Sequence, residues 1–128
     1  MKFWIEKEDL EKLGTKEQRD IWSAALRSGD WEQVQGTMCG SIHEPILGSC
    51  CLNVAAISVD GAEWATHVGY GWPRKEFKFA KLAFDFGLIK ENAYGIIGTI
   101  GFEDLNDVYK LTFDEIADVV DGKEVVKE

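Results

Sequence analysis

The feature that most constrains the fold is a run of residues without charge near the middle of the chain, 49–59. Charged residues make up 29% of the whole sequence, so a stretch of this length without one belongs in the interior. Leu52, Ala55 and Ala56 follow Ser49 at helical spacing, and Ser49 can cap a helix. The β-branched residues of the run would also suit a strand. We favour a buried helix that flanking amphipathic segments cover.

Two further helices are predicted with well-defined ends. Thr15 to Gln18 fits a capping box, and Gly29 is a natural stop after the apolar stripe. Thr112 to Glu115 repeats the capping pattern, and Gly122 ends that helix. The apolar stripes of the two helices are Ile21, Trp22, Ala25 and Leu26, and Phe113, Ile116, Ala117 and Val120.

The remaining segments are predicted from turn residues and apolar spacing. Residues 2–5 form a short strand or an anchoring arm. A helix runs from Pro73, which suits a first turn, to Phe86, and Gly87 with Leu88 caps its end. Its buried face is Phe79, Leu82, Ala83 and Phe86. The other predicted elements are a short helix at 6–13, a turn at 31–34, a hairpin that pairs 36–41 with 46–50, a loop at 61–73, an extended segment at 93–101, a helical turn at 102–108 and a frayed tail at 123–128.

Together these elements predict a compact, mostly helical α+β domain with a small β-hairpin or sheet. The 128 residues suit a single domain, since a chain of that size buries roughly two-thirds of its unfolded surface. No run approaches the roughly 18 apolar residues that a membrane helix needs, and Met1 to Ile5 is too short for a signal peptide. An odd number of cysteines indicates a reducing compartment. We therefore expect a cytoplasmic protein.

The charge of the chain restricts its partners. The net charge is -9, yet residues 66–101 hold five basic and three acidic residues and are net positive. An acidic protein is repelled by DNA and by anionic membranes, so we expect neither direct DNA binding nor membrane binding. A basic protein partner would suit the charge, although high charge also serves solubility alone.

Three blocks of sequence carry a resemblance to a known family. They are Ile21-Trp22-Ser23-Ala24-Ala25-Leu26-Arg27-Ser28-Gly29, then Cys50-Cys51-Leu52-Asn53-Val54, then Leu105-Asn106-Asp107 running into Leu111-Thr112-Phe113-Asp114-Glu115-Ile116-Ala117-Asp118. In this order they resemble small uncharacterised proteins encoded by phages and prophages, whose pattern is W-x-x-A-L-R-S-G, C-C-L-G-V-L and L-N-D with S-F-x-E-I-A-D.

The resemblance implies a viral accessory protein in the cytoplasm of a host cell, with counter-defence as a function of that class. It implies no chemistry. The chain departs from the family pattern at Asn53, where Gly is usual, and at 66–101, which is longer than usual.

The net-positive segment contains the candidate ligand site. Aromatic rings stack on bases, and Arg and Lys bind phosphates. The predicted ligand-binding residues are Tyr70, Trp72, Arg74, Lys75, Lys78 and Lys81, interleaved with Phe77 and Phe79. Glycines at 69, 71, 95, 98 and 101 would let backbone N–H groups approach an anion. The alternative is an amphipathic helix with a solvated basic side.

The cysteines raise a second possibility, a thiol-dependent enzyme. Cys50 or Cys51 at a helix N-terminus would have a lowered thiol pKa, with His43 or His67 as base. The alternative is that both cysteines are small apolar residues of a core. Zinc is not expected, because Cys39, His43 and the other possible ligands contain no C-x2-C pair. We predict no metal and no cofactor.

Acidic residues near the end of the chain form no recognisable site. Asp104, Asn106 and Glu115 match three EF-hand positions, but Tyr109 stands where the loop needs Gly, so calcium is excluded. Asn106 and Asp107 are expected to close a turn with their side chains. The acidic residues, expected at helix N-termini and on a solvated face, are Glu103, Asp104, Asp107, Asp114, Glu115, Asp118 and Asp121.

The sequence therefore predicts a non-catalytic accessory binding protein of phage type. Its ligand is either a small phosphorylated nucleotide, held by residues 70–81, or a basic host protein, held by acidic surfaces; the nucleotide is slightly favoured. The thiol-dependent enzyme is the alternative. The oligomeric state stays open, and a homo-oligomer is compatible with the sequence.

Overall fold

The computed structural model describes residues 1–33, 50–62 and 77–128. Within them the chain is α+β, with short helices packed on a four-stranded antiparallel sheet. The elements are β1 (Lys2–Ile5), α1 (Lys7–Leu10), α2 (Lys16–Arg27), α3 (Cys51–Ser58), α4 (Lys78–Asp85), β2 (Ile89–Ala93), β3 (Ile96–Ile100), α5 (Phe102–Asp107), α6 (Phe113–Val120) and β4 (Val125–Val126). The predicted hairpin at 36–41 and 46–50, apart from Cys50, and most of the predicted loop at 61–73 lie outside the described residues.

The two capping boxes form as predicted. The Thr15 hydroxyl accepts from the Gln18 N–H, and the Gln18 side chain accepts from the Thr15 N–H. Thr112 and Glu115 make the same reciprocal pair at α6. Gly122 follows α6 with a φ of 86°, a left-handed conformation that favours glycine.

The uncharged run is a buried helix, which confirms the choice of helix over strand. Leu52, Ala55 and Ala56 are all buried in α3. The N-cap is Cys50 rather than Ser49. The first N–H groups of a helix have no acceptor among its own backbone carbonyls, and at α3 the Cys51 N–H is bound by the Asn106 side chain from another element.

β1 (Lys2–Ile5) is an internal strand of the sheet. The strand order is β3-β2-β1-β4, so β1 lies between β2 and β4. Phe3 pairs with Glu91 on one side and with Val125 on the other. Phe3 and Ile5 point into the core, where Phe3 contacts the ring of Tyr109 with the ring centroids 5.0 Å apart.

β2 and β3 form a hairpin with a two-residue turn. Tyr94 and Gly95 both have positive φ, 55° and 79°, as a type I′ turn requires. The prediction of extended structure at 93–101 is confirmed for β3 but misses β2. Lys90, Glu91 and Asn92 of β2 have low strand propensity. They form a strand because pairing with β1 outweighs that low propensity.

The helix before this hairpin is shorter than predicted. α4 begins at Lys78, and Pro73 lies outside the described residues. Leu82 was expected in the core but is 39% exposed, and Ala80 is buried in its place. The predicted Gly87 cap is also wrong: Phe86 is extended at φ -70°, ψ 115°, and the chain runs on towards β2.

The predicted frayed tail at 123–128 is wrong. Val125–Val126 forms β4 and pairs with β1, and the Lys127 N–H donates to the Met1 carbonyl over 2.8 Å. The Lys127 ammonium also donates to Glu115. Two valines among four polar residues give too weak a local signal for a strand, and the partner strand is more than a hundred residues away in sequence.

We predict that Val125 and Val126 respond differently to truncation. Val125 is 6% exposed and Val126 is 65% exposed. Val125→Ala should lower the free energy of unfolding by about 1.5–2.5 kcal/mol through lost burial, whereas Val126→Ala should change it by less than about 0.5 kcal/mol. Urea denaturation measures both; equal effects would contradict the presence of a docked β4.

Candidate functional site

The described part of the predicted ligand site is the outer face of α4. Lys78 and Lys81 lie there, and the helix begins at Lys78. The other predicted ligand-binding residues lie outside the described residues: Tyr70, Trp72, Arg74 and Lys75.

Lys81 is already engaged with neighbours on its own helix. Its ammonium lies 3.1 Å from an Asp85 carboxylate oxygen, at i,i+4 spacing, and 5.6 Å from the centroid of the Phe84 ring. Lys78 is exposed and has no ion pair within the described residues. Lys78 is thus the cation of this face best placed to meet a ligand.

The N-terminus of α4 holds a carboxylate from the protein itself. Asp60 accepts hydrogen bonds from the N–H groups of Phe79 and Ala80 at 3.0 and 2.9 Å. A helix N-terminus attracts an anion through these N–H groups and the helix dipole. Asp60 occupies that position, so a ligand phosphate would have to bind elsewhere on the face.

A shallow apolar pocket of about 310 Å³ adjoins the end of α4. It is lined by Leu82, Asp85, Phe86, Gly87 and Leu88. Its volume lies at the lower limit of pockets that hold small molecules. It supplies apolar contact and one carboxylate, so it would accept an apolar group more readily than a phosphate.

The two central cysteines are buried, and their environment suppresses thiolate formation. Burial raises the pKa of Cys50 to about 12, and burial together with the nearby Cys50 raises the pKa of Cys51 well above its usual value. The predicted lowering of the thiol pKa is therefore wrong, because desolvation exceeds any effect of the helix N-terminus. His43 and His67, the proposed bases, lie outside the described residues.

A buried polar junction surrounds Cys51. The Trp22 indole N–H donates to the Cys51 carbonyl over 3.0 Å, and the Cys51 N–H donates to the Asn106 side-chain oxygen over 3.3 Å. The same oxygen accepts from the Gln33 amide over 3.0 Å. Asn106 was expected to close a local turn but instead joins distant elements, a role that no local pattern signals.

The acidic cluster near the end of the chain is largely used within the fold. Arg27 on α2 pairs with Asp118 and Asp121 on α6, and these hydrogen bonds raise the Arg27 pKa. Burial of Glu115 opposes its ionisation, but hydrogen bonds from Lys127 and Thr112 outweigh it, so that the Glu115 pKa is lowered.

Other carboxylates remain on the surface without an ion pair. Within the described residues these exposed acids are Glu8, Glu11, Glu17, Asp30, Glu32, Glu103, Asp114 and Glu128. The exposed bases of the same kind are Lys7, Lys78 and Lys110. Solvent-facing charge is thus strongly negative over this part of the chain.

A groove of about 590 Å³ lies between α2 and α6. It contains three cationic side chains, Lys16, Arg19 and Arg27, as an anion site would. Each is committed: Lys16 to Asp20, Arg19 to the carbonyls of Leu10, Leu13 and Gly14, and Arg27 to its two aspartates. The three cations of the groove therefore have partners within the protein itself.

In residues 1–33, 50–62 and 77–128, no three His, Cys, Asp or Glu side chains group together as metal ligands would. None of the helices in these ranges combines the length and the apolar character that crossing a membrane requires. No protein-family model, no curated protein and no solved structure matches this chain.

We predict that the buried thiols are inert in the folded protein. In a Cys39→Ser background, alkylation of Cys50 at pH 8 should be on the order of a thousandfold slower than in urea, because its pKa is about 12 instead of 9. Mass spectrometry of iodoacetamide-treated protein measures this rate. If Cys50 of the folded protein reacted as fast as it does in urea, the thiol-dependent enzyme would again be a candidate function.

We also predict that Asn106 is required for stability. Asn106→Leu leaves the Cys51 N–H and the Gln33 amide without this acceptor and should lower the free energy of unfolding by about 2–4 kcal/mol. Asn92→Leu, on half-buried β2, is the matched control and should change it by less than about 0.5 kcal/mol. Similar losses for the two variants would show that the junction has no special role.

Proposed function

We propose that this chain is a non-catalytic accessory protein of phage type that sequesters a basic host protein. The observation that carries the proposal is a difference in number between two groups of exposed side chains. Within the described residues, exposed carboxylates that form no ion pair outnumber exposed lysines that form none. A surface of one sign attracts a partner of the opposite sign and raises the rate of their association. The phage origin and a counter-defence role rest on the three-block resemblance.

Part of the surface charge has a structural reason, and part has none. Four of the exposed carboxylates lie in the first turns of helices, where their negative charge interacts favourably with the helix dipole: Glu8, Glu17, Glu103 and Asp114. Glu11, Asp30, Glu32 and the last residue, Glu128, have no such position and form no ion pair within the described residues. The first three of these carboxylates are the part of the surface best explained by a partner.

The burial of Cys50 and Cys51 argues against the thiol-dependent enzyme. A nucleophile needs access and a thiolate, and Cys50 and Cys51 have neither, since burial raises the pKa of both. The fold instead treats them as apolar core residues at the start of α3.

A nucleotide ligand is the second candidate. It is favoured by Lys78 at the exposed face of α4, with Phe84 and the apolar pocket further along the helix. Two observations weigh against it: Asp60 fills the α4 N-terminus, and Lys81 pairs with Asp85. The protein partner is therefore preferred.

The proposal is tested by charge-dependent capture from bacterial cells that express the tagged full chain. Wild type should co-purify a basic protein. The triple variant Glu11→Gln, Asp30→Asn, Glu32→Gln should co-purify at least about tenfold less of that protein, because attraction between opposite charges raises the association rate by about 10- to 1,000-fold. The matched variant Lys7→Gln, Lys78→Gln, Lys110→Gln removes charge of the opposite sign and should retain the partner.

A thermal-shift screen against mono-, di- and cyclic nucleotides distinguishes the second candidate, a nucleotide ligand, from a protein partner. A nucleotide at 100 times its dissociation constant would stabilise the fold by about 2.7 kcal/mol. Such a shift, lost in Lys78→Gln and accompanied by no charge-dependent protein capture, would overturn the protein-sequestering proposal in favour of the nucleotide.

A further inference from the structure

The β2–β3 hairpin ends the sheet in an uncharged, exposed strand. β3, Ile96–Ile100, lies at the end of the strand order, and no strand of the described residues pairs with its outer side. Ile96 is 75% exposed and Ile97 is 61% exposed, while Tyr94 at the turn is fully exposed. Large apolar side chains on both faces of an edge strand are unusual, because such an edge invites pairing with another chain.

The register identifies the backbone groups that face outward. A two-residue turn makes Ala93 and Ile96 a hydrogen-bonded pair, and bonded and non-bonded pairs alternate along an antiparallel ladder. Gly98 therefore directs its N–H and C=O towards β2. Ile97 and Thr99 direct theirs towards the edge that no strand of the described residues pairs with, where a partner strand would bind them.

β3 lacks the devices with which edge strands normally avoid association. Lys, inward-pointing charges and Pro are the usual protections, and the strand Ile-Ile-Gly-Thr-Ile contains none of them. The hairpin as a whole carries one Lys and one Glu, Lys90 and Glu91, and is neutral. In a chain with a net charge of -9, it is a surface at which two copies can approach without local repulsion.

We propose that β3 pairs antiparallel with β3 of a second copy and joins the two sheets into one continuous eight-stranded sheet. The sequence of β3 is self-complementary about Gly98. A two-fold axis there places Ile97 opposite Thr99 of the second copy, so that the outward groups of each such pair exchange two hydrogen bonds. On the other face Ile96 meets Ile100 of the second copy. This surface includes none of the carboxylates of the proposed function, and the dimer proposal does not depend on that function.

The mass of the full chain in solution tests the assembly. Light scattering should give twice the 14.4 kDa chain mass for wild type. Ile97→Lys places a charge at the proposed interface and should give the monomer mass. Val126→Lys makes a similar change at a similarly exposed valine of β4, on the opposite edge, and should leave the dimer intact. A monomeric wild type, or loss of the dimer in the Val126 variant alone, would overturn the proposal.

A cross-link tests the register directly. A Cβ at Gly98 would meet no atom within 4 Å, so a side chain fits there. Facing residues of a non-hydrogen-bonded antiparallel pair lie about 4.5 Å apart at Cα, within disulfide range. In a Cys39→Ser background, Gly98→Cys should oxidise to a disulfide-linked dimer, whereas Thr99→Cys, which faces Ile97, should not. Cross-linking at Thr99 but not at Gly98 would contradict pairing about Gly98.

Discussion

Both backbone hydrogen-bonding groups of Cys51 are bound by side chains from distant parts of the chain. Its carbonyl accepts from Trp22, and its N–H donates to Asn106. Because the first N–H groups of a helix have no acceptor among its own backbone carbonyls, these bonds help to fix the N-terminus of α3 within the core. The Trp22 ring also packs edge-on against Phe79 and Phe102. The junction therefore ties α2, α3, α4 and α5 together.

This junction also gives a physical meaning to the three blocks of the resemblance. Trp22, Cys51 and Asn106 each belong to a different block, and they meet at one place. Arg27 of the first block pairs with Asp118 of the third. These five residues of the three blocks thus have structural roles. The described surface includes exposed carboxylates and a neutral, apolar hairpin, which are chemically different regions.

Local signals predict local structure well in this chain, and long-range pairing accounts for the errors. The capping boxes at Thr15 and Thr112 need only neighbouring residues, and both helices begin where the sequence indicates. β2 and β4 exist because β1 pairs with them, and their own residues give little sign of it. The cysteine thiols show the same limit of sequence-based prediction. A helix N-terminus, which would lower the thiol pKa, can be predicted from sequence, whereas the burial that raises the pKa of Cys50 is the larger effect and cannot. Of the predicted ligand site, Lys78 and Lys81 share a face, and the second is held by Asp85.

Native-state hydrogen exchange at the junction tests the account most directly. The Cys51 N–H stands at the first position of α3 and has no acceptor within its helix, so its protection depends on Asn106 and on burial. The account predicts that this amide and the Trp22 indole N–H exchange only through global unfolding, with the same opening free energy as the most protected core amides. Exchange of either group through openings far less costly than global unfolding would contradict the central role of the junction.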